Sequence, residues 1–182
     1  MGHRIRRLLL STQRKGITDF VSWLEKSDFF IAPASTRFHC CKPGGLAEHS
    51  LNVYKLLREK NRRFRLGLKE ESIIISSLLH DLCKIDCYSE NILKNGERSE
   101  TKLYNFDDEL PLGHGSKSVY LASQFIRLST TEALLIRWHM GGFDYEYKMN
   151  ADSVRKLAPQ ITAMQCSDME ASAYLDDDGH NI

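Results

Sequence analysis

Apolar residues recur at helical spacing over most of this chain, and this periodicity constrains its fold more than any other feature. Six segments show it: 16–27, 45–60, 69–85, 115–128, 130–140 and 159–175. Side chains three and four positions apart share one face of a helix, so each segment predicts an amphipathic helix with one buried stripe. We therefore expect an all-α fold, a single bundle of helices around one core.

One segment, residues 87–112, breaks this pattern. Two short strand-like pieces flank the dipeptide Asn95-Gly96, which favours the tight turn of a β-hairpin. Elsewhere the breaks coincide with helix boundaries. Pro43-Gly44-Gly45 opens the second helix, and Ser129, Thr130 and Thr131 ahead of Glu132 are candidate N-caps for the fifth. The sequence predicts a small hairpin insertion in a helical domain.

Length and composition fit one folded domain spanning 1–182. A chain of 182 residues that is 42% hydrophobic and 27% charged has enough apolar surface for a substantial core. We find no repeat and no linker. The acidic and polar end, 176–182, is expected to be a disordered tail.

Charge and cysteine content indicate the environment. The net charge is +1, so no general attraction to nucleic acid or membranes is expected, and the basic runs at 3–7 and 61–65 are interpreted as solvated surface. Five cysteines without an apolar leader favour free thiols in the reducing cytoplasm. The longest apolar runs are too short for a membrane span, and no stable protein partner is implied.

Asp81 is the residue that most needs an explanation. It lies in the stripe of Ile74, Leu78 and Ile85, in a segment that is apolar on nearly every side. A buried carboxylate costs several kcal/mol unless it is paired, hydrogen-bonded or bound to metal. His80 precedes it, so the two side chains can converge. For this pair taken alone, a buried His–Asp hydrogen bond or a cap is the better explanation.

Other segments carry metal-ligand residue types within apolar stripes, and together they favour coordination. His49 aligns with Leu46 and Val53, and Asp168 continues the stripe of Ile161 and Met164. Two more histidines complete the candidate set: His114, between two glycines, and His139, at a predicted helix end. Imidazole and carboxylate ligands suit Mn, Fe, Co, Ni or Zn. His39 is left open between a position at the rim of the site and one in the core.

The order of these residues resembles the HD-domain superfamily of metal-dependent phosphohydrolases. The resemblance covers roughly 39–172, within an expected core of about 39–175. GGLAEHSLNVYKLL and LLHDLCKID are similar to stretches of the HD domains in YhaM-type 3′-5′ exoribonucleases and related bacterial and phage hydrolases. It implies a metal held by four residues: His49, His80, Asp81 and Asp168. It also implies that Asp81 bridges to a second ion held by His114 and His139.

The resemblance further implies hydrolysis of a phosphoester in a nucleotide or a nucleic-acid end by a metal-activated water. Asp81 and Lys84 are the predicted catalytic residues, and Lys84 and Lys117 would neutralise the phosphate. Relatives often have a second histidine where this chain has Met140, so the number of ions stays at one or two. A non-catalytic nucleotide-binding module and a di-iron oxygenase remain alternatives.

The cysteines allow one other interpretation. Cys83 and Cys87 could form a structural zinc site with His39, Cys40 and Cys41. This spacing does not match a standard zinc pattern, and buried free thiols are common, so free thiols are preferred.

Overall fold

The computed structural model describes residues 1–150 and 152–176. Within them, eight α-helices follow one another: α1 Gly2–Ser11, α2 Ile17–Lys26, α3 Gly45–Phe64, α4 Glu70–Leu79, α5 His114–Ser123, α6 Thr130–Arg137, α7 Tyr145–Asn150 and α8 Ala158–Glu170. The predicted all-α class is confirmed. The predicted tail lies outside the described residues, except for Asp176.

The core forms where α3 and α4 pack along each other and α8 and α6 close over them. Leu46, Leu57, Ile75 and Leu78 are fully buried there. The buried residues of α3 lie between Gly45 and Leu57, and the helix contacts both α4 and α8. The candidate ligand His49 therefore lies inside the bundle.

α1 was not predicted. Ile5 and Leu9, one turn apart, are both completely buried, and they anchor the helix to its neighbours α2, α3 and α4. The arginines between them turn outward, so the basic run is one face of an amphipathic helix. Only two positions of α1 are buried. Two apolar positions are too few for a helical period to be recognised in the sequence.

The hairpin insertion is confirmed. Strand β1, Tyr88–Glu90, pairs antiparallel with β2, Tyr104–Phe106, and a single bridge joins Ile92 to Arg98 nearer the turn. Gly96 has φ +85°, a conformation that glycine adopts without steric cost.

The predicted helix 69–85 is wrong at its C-terminal end. α4 ends at Leu79, and Leu82–Lys84 form a separate 3-10 turn. Asp81 between them has φ −106° and ψ 22°, which breaks the α-helical path. α6 ends in a similar way, because Trp138 adopts φ −109° and ψ 15° ahead of His139. No glycine or proline stands at either break. The apolar periodicity therefore predicted both helices to end later than they do.

A capping box fixes the start of α6. Ser129 accepts a hydrogen bond from the Glu132 backbone, and the Glu132 side chain accepts one from the Ser129 backbone. Glu132 is fully buried and also pairs with Arg14, at 2.5 and 2.7 Å. Of the three candidate caps, the structure uses Ser129. The network around Glu132 ties α6 to the N-terminal part of the chain.

In the described part of the chain, every helix is too short or too polar to cross a membrane.

Candidate metal centre

Six predicted ligands converge on one end of the bundle. His49 comes from α3, Asp168 comes from α8, and His114 is the first residue of α5. The others, His80, Asp81 and His139, follow directly after the ends of α4 and α6. The early helix ends thus free the backbone to turn these side chains toward a common centre.

The first group surrounds one oxygen of Asp81. Nε2 of His49 lies 3.2 Å from Nε2 of His80 and 3.1 Å from Oδ1 of Asp168. Oδ2 of Asp81 lies 3.4 Å from Nε2 of His80 and 3.7 Å from Nε2 of His49. Four donor atoms at these separations could share a single cation, since ligand atoms about 2 Å from one ion are separated by roughly 3 Å.

The second group faces the other oxygen of the same carboxylate. Oδ1 of Asp81 lies 2.8 Å from Nε2 of His114 and 3.4 Å from Nε2 of His139. The two oxygens of Asp81 therefore address different pairs of histidines. This is the arrangement that a carboxylate needs if it is to bridge two ions.

Hydrogen bonds on the far side of three imidazoles orient their rings. Nδ1 of His80 lies 2.8 Å from the Ser77 carbonyl, and Nδ1 of His139 lies 2.7 Å from the Ile136 carbonyl. Nδ1 of His49 lies 2.7 Å from Oδ2 of Asp176. These oxygens can only accept, so each Nδ1 carries a proton. In the neutral ring, the lone pair is then on Nε2, which faces the centre.

One buried nitrogen tests whether this pocket fits a metal. Nε2 of His139 makes no hydrogen bond to any described residue, although the side chain is completely buried. An unsatisfied buried polar atom costs about 1–3 kcal/mol. A divalent cation beside Asp81 would satisfy it, and the donor set of imidazoles and carboxylates is chemically suited to one.

The charges in the centre are strongly coupled. Burial would raise the pKa of Asp81, but Lys84, His80 and His114 hold it well below its ordinary value. Burial would also lower the pKa of His49, yet hydrogen bonds to Asp168 and Asp176 raise it to about 9. The buried carboxylates thus favour positive charge at this position, whether it comes from protons or from a metal.

A cavity of about 610 Å³ opens onto this centre. Asp81, His114, His139 and Asp168 are among its polar lining residues, together with His39 and Lys84. Its remaining walls are largely apolar and include Phe38, Met140, Phe143 and Met169. Its volume falls in the range of typical small-molecule sites, about 300–1,000 Å³. His39, which the sequence left open, is thus a half-buried residue of the cavity wall.

The two predicted lysines have different positions. Nζ of Lys84 lies 2.8 Å from Oδ2 of Asp81 and donates to the Ala34 carbonyl at 2.7 Å, beside the cavity. Nζ of Lys117 is instead paired with Asp108 at 2.5 Å, and Lys117 is not among the residues that line the cavity. Lys117 faces the hairpin segment rather than the metal centre.

Two residues near the centre were missed as ligand-associated residues. Asp176, assigned to the tail, forms the hydrogen bond that orients His49. The donor atom of Cys83 lies within 4.8 Å of those of Asp81 and His114. Asp176 was missed because it stands in an acidic run that was interpreted as a tail. Cys83 was considered only as a ligand of a structural zinc site.

Comparison with protein families decides the relationship. The family model described as HD domain matches residues 46–166. The chain belongs to the HD domain family. The match includes five of the six converging ligands, and Asp168 lies two residues beyond its end. Neither the curated proteins nor the solved structures contain a match to this chain.

Family membership gives the coarse chemistry. HD domains bind divalent metals, and most are metal-dependent hydrolases within a phosphohydrolase superfamily. The His and Asp groups of this chain are consistent with that role, because four sets of three potential ligands cluster around the same buried region. The family alone does not specify the substrate.

Proposed function

We propose that this HD domain hydrolyses a phosphoester bond of a nucleotide or of a nucleic-acid end. The observation that carries the proposal is the position of Asp81, whose two oxygens face separate pairs of histidines at the floor of a cavity. A divalent metal bound there would lower the pKa of a water molecule and polarise a phosphoryl oxygen.

The protein's own residues would hold and orient that substrate. Lys84 lies beside the cavity and is fixed by Asp81 and the Ala34 carbonyl, so its ammonium group has a defined position. A phosphate placed over the centre would meet this charge at short range. Preorganised charge is effective in catalysis because little reorganisation is needed as the reaction proceeds.

The apolar part of the cavity supports a nucleotide rather than a bare phosphate. Phe38 and Phe143 are 61% and 79% exposed, and both line the same cavity as the metal ligands. Exposed aromatic rings that line a site suit a flat base, whereas a small polar phosphoester offers no flat surface on which they can stack. A phosphate with an adjacent nucleobase therefore matches both parts of the cavity.

The proposal is tested by an assay on the purified chain. The protein is stripped with a chelator, reloaded separately with Mn, Fe, Co, Ni or Zn, and offered mono-, di- and triphosphates, cyclic nucleotides and short oligonucleotides. We expect turnover with at least one metal, and loss of turnover in Asp81→Ala. Asp19→Asn, an exposed carboxylate on α2, is the control.

Two outcomes would contradict the proposal. Inactivity of the wild type with every metal and substrate would remove the hydrolase assignment. Tight nucleotide binding with retained metal but no turnover would indicate a non-catalytic nucleotide-binding module instead.

Lys84→Met separates the role of the lysine from that of the ligands. We expect this variant to retain its metal and to lose most of its turnover, because it lacks the charge that meets the phosphate. Metal content and turnover equal to those of the wild type would exclude Lys84 from the reaction.

A further inference from the structure

Cys83 is held against the metal centre by two packed elements. It lies on the Leu82–Lys84 turn, two residues after Asp81, and is 3% exposed. Its backbone N–H donates to Oγ of Ser118 at 3.0 Å. Ser118 is on α5, one turn after His114, so the turn that carries the thiol is hydrogen-bonded to the helix that carries the imidazole.

The thiol is part of a compact group of potential ligands. The sulfur of Cys83, a carboxylate oxygen of Asp81 and a ring nitrogen of His114 all lie within 4.8 Å of one another. The same side of Asp81 faces Nε2 of His139, at 3.4 Å, which makes no hydrogen bond in the described part of the chain. That buried nitrogen has no hydrogen-bond partner of its own in the described residues, and it is an independent sign of a ligand on this side of Asp81.

A buried cysteine often serves only as a small apolar side chain. Cys87, four residues further on, has a different set of contacts: its Sγ donates to backbone carbonyls at 3.2 and 3.3 Å and accepts from Lys117. Cys87 is absent from every potential metal-binding group of the described residues. Cys83 instead adjoins a carboxylate and an imidazole, which is a poor environment for an apolar group.

The electrostatics of His114 agree with this contact. Burial would lower the pKa of His114, but the neighbouring Cys83 and Asp81 raise it to about 9. The side chain of Cys83 is thus within hydrogen-bond distance of the ring of His114.

We propose that Cys83 is a ligand of a second divalent ion, together with Oδ1 of Asp81, His114 and His139. This inference rests on the metal centre of the proposed function and adds a thiolate to it. On binding, the thiol loses its proton to solvent as the sulfur–metal bond forms, so the bound ligand is a thiolate.

The thiolate makes the two metal positions chemically different. The first group, His49, His80, Asp81 and Asp168, offers only nitrogen and oxygen. The second group adds sulfur, which favours Zn²⁺, Co²⁺ or Fe²⁺ over Mg²⁺ and Mn²⁺. Cys83 would thus supply a fourth ligand on the side where Met140 follows His139 and a thioether coordinates hard divalent ions weakly.

Cobalt provides a direct readout because thiolate coordination to Co²⁺ produces an intense charge-transfer absorption in the near ultraviolet. The full chain is stripped of metal, titrated with CoCl₂, and compared with Cys83→Ser and with the matched control Cys87→Ser. We expect the band in the wild type and in Cys87→Ser, and its loss in Cys83→Ser. The number of tightly bound Co²⁺ ions per chain should fall by one in Cys83→Ser.

The outcomes distinguish this inference from the proposed function. Cobalt bound without the band, or a band that persists in Cys83→Ser, would overturn the role of Cys83 and leave the rest of the centre intact. Failure of the wild type to bind cobalt or zinc would overturn the metal centre itself.

Circular dichroism checks that the variants are folded, and a second measurement tests the proposal on the wild type alone. If Cys83→Ser does not fold, X-ray absorption at the zinc edge of the zinc-loaded wild-type protein replaces it. A sulfur neighbour at about 2.3 Å is expected. A first shell of nitrogen and oxygen alone would contradict the proposal.

Discussion

Oδ2 of Asp176 lies 2.7 Å from Nδ1 of His49, on the side of the ring opposite the metal centre. Asn52 donates to the other oxygen of the same carboxylate at 2.9 Å, which fixes its orientation. A carboxylate behind a ligating histidine sets the tautomer and increases the basicity of the coordinating nitrogen. Asp176 is therefore a positioning residue for His49.

Asp176→Asn should weaken metal binding because it removes the negative charge while keeping the shape. Loss of such a partner typically costs about 10- to 100-fold in metal affinity. Activity should recover at high metal concentration, since His49 itself remains. Metal titration of the stripped protein measures the effect, with Asp19→Asn as the control. An unchanged dissociation constant would show that the hydrogen bond has no part in metal binding.

Metal binding should release protons at neutral pH. The pKa values of His49 and His114 are raised from 6.5 to about 9, so both rings are protonated at pH 7.5 in the metal-free protein. Coordination requires neutral imidazole, so about two protons should leave from these rings when both positions fill, in addition to the proton of Cys83 if its thiol binds. Calorimetric titrations of Zn²⁺ in buffers of different ionisation enthalpy count them. A heat of binding that does not depend on the buffer would contradict this.

The same two groups give the metal-free protein a defined pH dependence. Below pH 6.5 the rings are protonated in both the folded and the unfolded chain, so their contribution to stability is complete. As the pH rises toward 9, the unfolded chain has lost protons that the folded chain retains, and the free energy of unfolding falls. Urea denaturation between pH 6 and 9 measures this slope. A free energy of unfolding that rises between pH 6 and 9 would contradict this prediction.

Gly115→Ala should disturb the second group of ligands through packing. A Cβ at Gly115 would lie 2.2 Å from the backbone oxygen of Arg137, so α5 could no longer approach the end of α6. This close approach places the rings of His114 and His139 5.2 Å apart. We expect a loss of about 1–3 kcal/mol in stability, as in other overpacked sites, and weaker binding of the second ion. Gly142→Ala, where a Cβ meets nothing within 4 Å, is the control.

The aromatic wall should affect substrate binding more than turnover. Phe143→Ala should raise KM for a nucleotide about tenfold, which corresponds to the loss of roughly 1.4 kcal/mol of stacking on the base. KM for ribose 5-phosphate, which has no base, should change little. Tyr145→Ala is matched in exposure but lies outside the cavity lining. Equal effects of Phe143→Ala on both substrates would contradict base stacking.

The sequence predicted the helical class, the hairpin and the candidate ligands that the structure brings together, because each depends on local periodicity or on burial. Asp81 needed a compensating group because the segment around it is apolar, and His49 and Asp168 lay on similarly apolar stripes. The exact helix ends were not predictable. At Asp81 and Trp138 the backbone leaves the helix without a glycine or proline, in positions set by tertiary packing.

Asp176 and Cys83 show a second limit of sequence reasoning. An acidic residue in an acidic run has no periodicity to distinguish it, and its contact with His49 spans 127 positions of the chain. Cys83 adjoins His114 only because α5 packs against the turn after Asp81. Contacts of this kind depend on how distant elements pack, which no local pattern contains.

The central claim is that Asp81 organises a divalent metal centre, and the metal content of the purified protein tests it most directly. Elemental analysis of the wild type and of Asp81→Asn, both checked for folding by circular dichroism, compares the bound metal per chain. We predict at least one transition-metal ion per chain in the wild type after zinc loading and dialysis, and its loss in folded Asp81→Asn. Equal metal content in the two proteins, or none in the wild type, would contradict the claim.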